Sequence, residues 1–447
     1  MANIQAFRGL RYDLSRVGRL ADVVAPPYDV IDASAQTQLY QRHPENVVRL
    51  ILNKPEPGDQ TESGYRRAAL LFKSWIRDGI VQQDNRAALY VYHQSFELDG
   101  RPVTRRSFVS RLRLEPFGEG HVYPHEQTHA HAKQDRLLLT RHTQTNLCPI
   151  FGLYQDDANE VQDMIEAAIA DRTPVEATDE LGVKHELWTV TDMAAISRAA
   201  ELMGGKSIFI ADGHHRYETA CNYVKELSAS QGPLSSDHPA NYVMIGCVSM
   251  SDPGLVVLPT HRMFRGVPPM TSQELASKLG ECFEAEVCGN GSAAAPEVWE
   301  MVEVEEEQST LAFYTAKDKA WTLARLTNRG RERMESSSSQ SDEWNSLGVS
   351  LLHAFVMGEL LGLRDLPSPL YLRKIDEVVA AIDSGDGAGR DATGQVGTGK
   401  KFELACLVLP ATVEHVRQIS LNGERMPAKS TYFYPKLLSG LVFNPLH

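Results

Sequence analysis

The chain is short of cysteine, and none of its cysteines are paired at C-x-x-C spacing. Six of them, Cys148, Cys221, Cys247, Cys282, Cys288 and Cys406, are scattered over 447 residues. That excludes a disulfide-dense secreted module and a four-cysteine zinc ribbon. No apolar run approaches the length of a membrane span, and the opening Met-Ala-Asn-Ile-Gln lacks an apolar signal region. A reducing cytoplasm is the expected setting. Positive charge is also scarce: 45 Lys and Arg against 58 Asp and Glu leave a net charge of −13. A nucleic-acid binder needs a basic stripe, and the one cluster here is Arg105, Arg106, Arg111 and Arg113. Those arginines alternate with Phe108, Leu112 and Leu114, the pattern of a half-exposed strand with a solvated face. No internal repeat is visible.

What is there reads as a soluble globular protein, 42% hydrophobic and 23% charged, long enough for two or three lobes. Residues 63–78 read as an amphipathic helix, with Tyr65, Ala68, Ala69, Phe72, Trp75 and Ile76 on one face and Gly79 placed to end it. Strands are expected at 88–97 and 106–114, joined across Asp99-Gly100. A polar, His-rich segment (119–136) follows, then alternating elements: strand 149–154, helix 160–170, strand 185–190 and helix 193–203. Further on come strands at 240–250 and 254–259, a weaker region from 270 to 345, and a Leu-rich buried helix at 348–361. The Ser336–Ser339 run within the weaker region reads as a surface loop. The mixture predicts an α/β fold (α+β mixed) with mixed sheets. Its divisions are expected at 1–118 (N-terminal lobe), 119–268 (core) and 269–447 (C-terminal lobe).

The densest chemistry lies at 206–220. The apolar run Ile208-Phe209-Ile210 stops at Asp212-Gly213, then come His214, His215 and Arg216, and a helical pattern starts at Tyr217. A strand, a tight turn and a fresh helix N-terminus present backbone N–H groups that favour an anion. Gly213 permits a close approach that a Cβ would block. An ordinary strand–helix connection is the alternative. A helix terminus supplies only about 0.3–2 kcal/mol toward an anion, whereas micromolar affinity needs about 8 kcal/mol. Further cations are therefore required, and Arg216, Lys429 and Lys436 are the best supply. Ser430 and Thr431 would add hydroxyl contacts, with turn capping as the alternative.

Two other motifs read as decoys. Residues 394–400, Gly-Gln-Val-Gly-Thr-Gly-Lys, match the start of a P-loop, but Lys401 stands where its Ser or Thr belongs and a strand follows instead of a helix. His125-Glu126-Gln127-Thr128-His129 matches H-E-x-x-H, yet Pro124 and its polar surroundings give no amphipathic helix to carry a zinc site.

Pro124-His125-Glu126, then Cys148-Pro149-Ile150-Phe151 ahead of a strand, then Ala211-Asp212-Gly213-His214-His215-Arg216 resemble the free serine kinases of the ParB/sulfiredoxin-like superfamily. The chain as a whole more closely resembles the bacterial domain of unknown function 1015 family. That resemblance is carried by Ala25-Pro26-Pro27-Tyr28-Asp29, by Ala211–Tyr217 and by the ending Met426-Pro427 through Lys429-Ser430-Thr431-Tyr432-Phe433-Tyr434-Pro435-Lys436. The resemblance to free serine kinases implies a ParB/sulfiredoxin-like core. It also implies a cytoplasmic kinase using ATP or ADP with Mg²⁺, acting on a small alcohol, with free L-serine foremost. In that reading Glu126 is the general base and His125 binds substrate. Asp212 is catalytic, as Mg²⁺ ligand or orienter of the acceptor, with shaping the turn as the alternative. Gly213, His214, His215, Arg216, Lys429, Ser430, Thr431 and Lys436 hold the nucleotide phosphates. The alternatives are a nucleotide-binding regulatory protein without transfer, and a ParB-like nucleic-acid-processing protein, which the acidic charge disfavours.

Overall fold

The computed structural model describes residues 2–128, 130–385 and 401–447. The P-loop-like segment 394–400 and His129 of the H-E-x-x-H match lie outside the described residues. Backbone contacts divide the chain into two compact units. Unit 1 is Met1–Pro124, Thr128–Val256 and Pro435–His447; unit 2 is His125–Gln127 and Val257–Tyr434. The expected lobes 1–118 and 119–268 fall largely together in unit 1, because strands from both pair in one sheet, and the last thirteen residues and the short 125–127 segment each join a unit distant in sequence.

Unit 1 is built on a mixed sheet. Its strands are β1 (Ile4–Gln5), β2 (Leu89–Leu98), β3 (Arg101–Arg113), β4 (Val122–Pro124), β5 (Ile150–Tyr154), β6 (Val175–Thr178), β7 (Lys184–Val190), β8 (Ile208–Asp212) and β9 (Tyr242–Ser249). They run in the order β4-β8-β5-β9-β3-β2-β7-β6, with β1 beside β3. The pairs β4–β8 and β5–β9 are parallel, and the remaining pairs are antiparallel. β2 and β3 form the expected hairpin across Asp99-Gly100, but β3 starts five residues earlier than its alternation suggested. Helices Glu160–Ala167 and Met193–Met203 bury Val161, Ile165, Ile196, Ala199 and Met203 against Leu89, Phe108, Ile150, Ile208 and Ile245 of the sheet. At roughly 1.5–3 kcal/mol per fully buried large aliphatic side chain, this layer is a main source of stability for the unit.

The C-terminal segment of unit 1 lies against the sheet. The Lys436 carbonyl accepts from Gln94 Nε2 at 2.9 Å, and the Pro435 carbonyl accepts from the Arg105 guanidinium. Gly246 makes room for it, since a Cβ there would stand 2.7 Å from Leu437 Cδ1. Arg105 is consequently buried, its guanidinium 4.6 Å over the Phe151 ring. The solvated face expected for the arginine cluster holds for Arg106, Arg111 and Arg113, which are half-buried, and fails for Arg105.

The expected polar segment 119–136 instead contains β4 and the start of a helix, Ala130–Thr143. That helix begins after the H-E-x-x-H match, so His125 does not sit on a helix. The helix expected from Tyr217 begins at His214 and runs to Gln231. His214, His215 and Arg216 are thus its first turn and not a preceding loop.

The six-stranded sheet of unit 2 contains β10 (His261–Phe264), β11 (Phe283–Asn290), β12 (Thr310–Thr315), β13 (Ala320–Leu326), β14 (Leu370–Leu372) and β15 (Leu404–Leu407). The order is β11-β13-β12-β15-β10-β14, antiparallel throughout. Helices Ala295–Glu305 and Ile375–Ser384 bury Val298, Val302, Val378 and Ala381 against it. The expected buried helix at 348–361 is present, and its Leu351–Leu360 stretch is π-helical. The serine run is not a plain loop: the helix Asn328–Ser337 extends into it.

Candidate functional site

The expected site residues fall into two clusters, one in each unit. In unit 1, β8 carries Asp212 to the sheet edge, and Gly213 turns the chain into the helix His214–Gln231. Gly213 is the N-cap, at φ +92°, a conformation that disfavours any side chain. Gly213 offers no side-chain cap, and the positive end of an 18-residue helix lies at the Asp212 turn.

Three charged side chains meet at this turn. Lys436 Nζ donates to Asp212 Oδ1 at 2.6 Å. Arg216 donates to Asp212 Oδ2 and to the Pro149 carbonyl. Asp212 is 15% exposed and the two cations 11% each, so the cluster is largely withdrawn from water and poorly screened. Burial alone would lower the Arg216 guanidinium, but Asp212, Cys148, Asp29 and Tyr28 hold it above its ordinary value. The buried Arg105 is pushed down to about 10 by desolvation, and it too feels the Asp212 charge. Arg216 and Lys436 share the Asp212 carboxylate, while Arg105 is faced by Asp252 as well as by Asp212. His214 is buried and His215 half-buried in the same first turn.

Asp212, where Mg²⁺ was expected, accepts one cation on each carboxylate oxygen and keeps a second lone pair on each. Among the described residues no group of three or more His, Cys, Asp or Glu could hold a metal ion.

In unit 2 the segment His125–Gln127 is held by the turn Met426–Thr431. The Met426 N–H donates to the His125 carbonyl at 2.8 Å, and Glu126 forms a parallel bridge with Met426. His125 is buried, with Nε2 2.8 Å from Thr431 Oγ1 and its ring edge-on to Phe433. Ser430 Oγ donates to the Pro427 carbonyl at 2.6 Å, the turn-capping alternative. Lys429 sits at φ +57°, and its carbonyl accepts from Arg262 at 2.9 Å. Arg262 is buried, pushed down to about 10 by desolvation, and interacts electrostatically with Glu126. Glu126 itself is half-buried. Its backbone is fixed by the bridge while its carboxylate stays within reach of solvent.

A family model described as protein of unknown function (DUF1015) matches residues 4–350. The chain belongs to the DUF1015 family. No curated protein matches it. Among solved structures it is similar to a free serine kinase in complex with AMP, at 13% identity over 70% of this chain and 83% of that one, with a TM-score of 0.30. A conserved hypothetical protein from Pyrococcus furiosus matches at 13% identity over 70% of this chain and 87% of that one, with a TM-score of 0.31. SbnI from Staphylococcus aureus, with a C-terminal truncation, matches at 9% identity over 73% and 84%, with a TM-score of 0.31. Likeness at that level carries no activity across. Among the described residues of this DUF1015 chain no helix is long and apolar enough to cross a membrane.

The residues that sequence reasoning missed are in unit 1. The Arg136 guanidinium lies 3.9 Å over the Tyr28 ring and donates to the Ile51 carbonyl at 2.8 Å. Burial pushes the Tyr28 phenol up to about 12, with the Arg136 and Arg216 charges opposing. The buried Cys148 thiol accepts from Ser439 Oγ at 2.9 Å, and burial raises it. The signal for Tyr28 and Asp29 was the Pro26-Pro27-Tyr28-Asp29 motif itself, to which no role had been attached. The signal for Cys148 was the Cys148-Pro149-Ile150-Phe151 motif; Arg136 carries no local signal.

Proposed function

We propose that this chain is a nucleotide-dependent phosphotransferase with an alcohol acceptor, for which free L-serine is the first candidate. The observation that carries the reading is the Lys436 ammonium on Asp212, beside Arg216, at the N-terminus of the helix His214–Gln231. A helix terminus alone falls several kcal/mol short of micromolar phosphate affinity. Charge-assisted hydrogen bonds at about 1.5–3 kcal/mol each make up the difference.

In this reading the phosphates of ATP or ADP lie against the backbone N–H groups of Gly213 to Arg216, with Lys436 and Arg216 balancing their charge. Asp212 fixes both cations in place. In unit 2, His125, through Thr431, orients the segment that presents Glu126. Glu126 accepts the proton of the acceptor hydroxyl. The acceptor oxygen bonds to the terminal phosphorus, and the bridging P–O bond breaks. Its electron pair stays on the nucleotide, now one phosphate shorter. General-base help of this kind contributes about 10²–10⁴-fold. A second reading, nucleotide binding without transfer, is favoured by one feature: Asp212, Ser430 and Thr431 already have hydrogen-bond partners within the fold.

The test is a coupled assay with ATP or ADP, Mg²⁺ in the buffer, and a panel of small alcohols led by L-serine, beside Glu126→Ala. Phosphoserine from the wild type, reduced about 10²–10⁴-fold in the variant at unchanged nucleotide affinity, is the expected result. Nucleotide binding with no acceptor phosphorylated moves the regulatory reading ahead. Absence of nucleotide binding refutes both.

A further inference from the structure

Unit 2 contains a cavity of about 750 Å³, well within the range of small-molecule sites. It plays no part in the phosphotransfer reading. One wall is the π-helical stretch Leu351–Leu360, where the Leu361 N–H reaches back five residues to the Val356 carbonyl at 2.9 Å. This winding brings His353, Ala354, Met357 and Gly358 together on the lining. π-Helical turns are rare and are found disproportionately at functional sites. The facing wall is the serine run that the sequence suggested was a surface loop.

The polar groups of the lining are incompletely used. His353 Nε2 is buried and has no hydrogen-bond partner, a costly arrangement unless something else meets it. Its ring packs edge-on to Phe264 at 5.7 Å. Burial, with help from the Arg262 charge, pushes the imidazole down to about 3, so it is neutral at physiological pH. The Ser338 hydroxyl accepts from the Gln340 N–H at 3.1 Å, which leaves its own proton to donate. The charged side chains of the lining are Glu359 and Arg364. Glu359 is paired with Arg333 at 2.6 Å, so the charge not balanced there is the Arg364 guanidinium at the exposed rim. Met334 and Met357 supply an adaptable apolar floor.

We propose that this cavity binds a small organic anion. Its apolar ring or chain lies against Phe264, Met334 and Met357, its anionic head meets Arg364 and the Ser338 hydroxyl, and His353 Nε2 hydrogen-bonds to its body. The site is separate from the residues assigned to phosphotransfer and does not depend on that assignment.

The probe is 8-anilinonaphthalene-1-sulfonate, an aromatic body with an anionic head, titrated by fluorescence into the full chain. Saturable binding that benzoate displaces is expected. Ala354→Trp replaces an exposed small residue of the lining and is expected to abolish binding without lowering the thermal unfolding midpoint. Arg364→Ala and His353→Gln are each expected to weaken it about three- to ten-fold. Probe binding unchanged in Ala354→Trp would overturn the site. Binding lost in Ala354→Trp but unchanged in Arg364→Ala would overturn the anionic class.

Discussion

His261 offers a sharp test of how unit 2 responds to acid. It is buried in β10, accepts from the Val408 N–H through Nδ1, and its ring meets Trp299 edge-on at 4.7 Å. Its Nε2 has no hydrogen-bond partner. Burial, reinforced by the adjacent Arg262 charge, pushes the imidazole down to about 3. In the unfolded chain it titrates near its ordinary value of about 6.5. Between those values the unfolded state binds the extra proton, so stability rises with pH and is lost as pH falls below about 6.5. At about pH 5 the loss is set almost wholly by the unfolded value: 1.36 kcal/mol per pH unit over about 1.5 units, or about 2 kcal/mol relative to pH 7.5. His261→Asn keeps an acceptor for Val408 but does not titrate. Urea unfolding followed by tryptophan fluorescence should show the variant less stable at pH 7.5, by about 1–3 kcal/mol for lost packing. The gap should narrow by about 2 kcal/mol at pH 5. All other titrating groups are common to both proteins and cancel in this difference. A gap that stays constant or widens on acidification refutes the reasoning.

Two further outcomes are expected at the Asp212 turn. Lys436→Met keeps the side-chain stem and removes the ammonium. A double-mutant cycle with Asp212→Asn, read by urea unfolding, should give a coupling of about 1–3 kcal/mol, and a coupling near zero would mean the pair is incidental. Gly213→Ala forces a side chain onto φ +92° and places its Cβ 3.0 Å from the Arg216 guanidinium. It should cost about 1–3 kcal/mol by the same assay and weaken nucleotide binding, whereas an unperturbed variant would show that the turn is not strained.

What could be read from the sequence was whatever local chemistry dictates. The helix Ser63–Arg77, the Asp99-Gly100 hairpin and β8 follow from periodicity and turn residues, which act within a few positions of the chain. The start of the helix His214–Gln231 was misplaced by three residues because its first turn is polar. Apolar periodicity begins only at Tyr217, while the N-cap is set by the positive φ of Gly213. Arg105 shows a different limit. Alternation along β3 separates two faces but does not say which residues of a face a distant segment will cover, and that segment, Pro435–Ser439, lies some 330 residues away. The same holds for Lys436. The sequence nominated it as a cation and could not place it; the fold brings it across 224 residues to within 2.6 Å of Asp212. Closing so long a loop costs little more entropy than closing a short one, because the cost grows only with the logarithm of length. Sequence separation is therefore no argument against such a contact, and also gives no sign of it. Under the proposed phosphotransfer the sign is chemical: a strand-end Asp followed by Gly-His-His-Arg would need a second cation to balance an incoming phosphate. The C-terminal lysines were the supply to search, and only Lys436 shares a unit with Asp212.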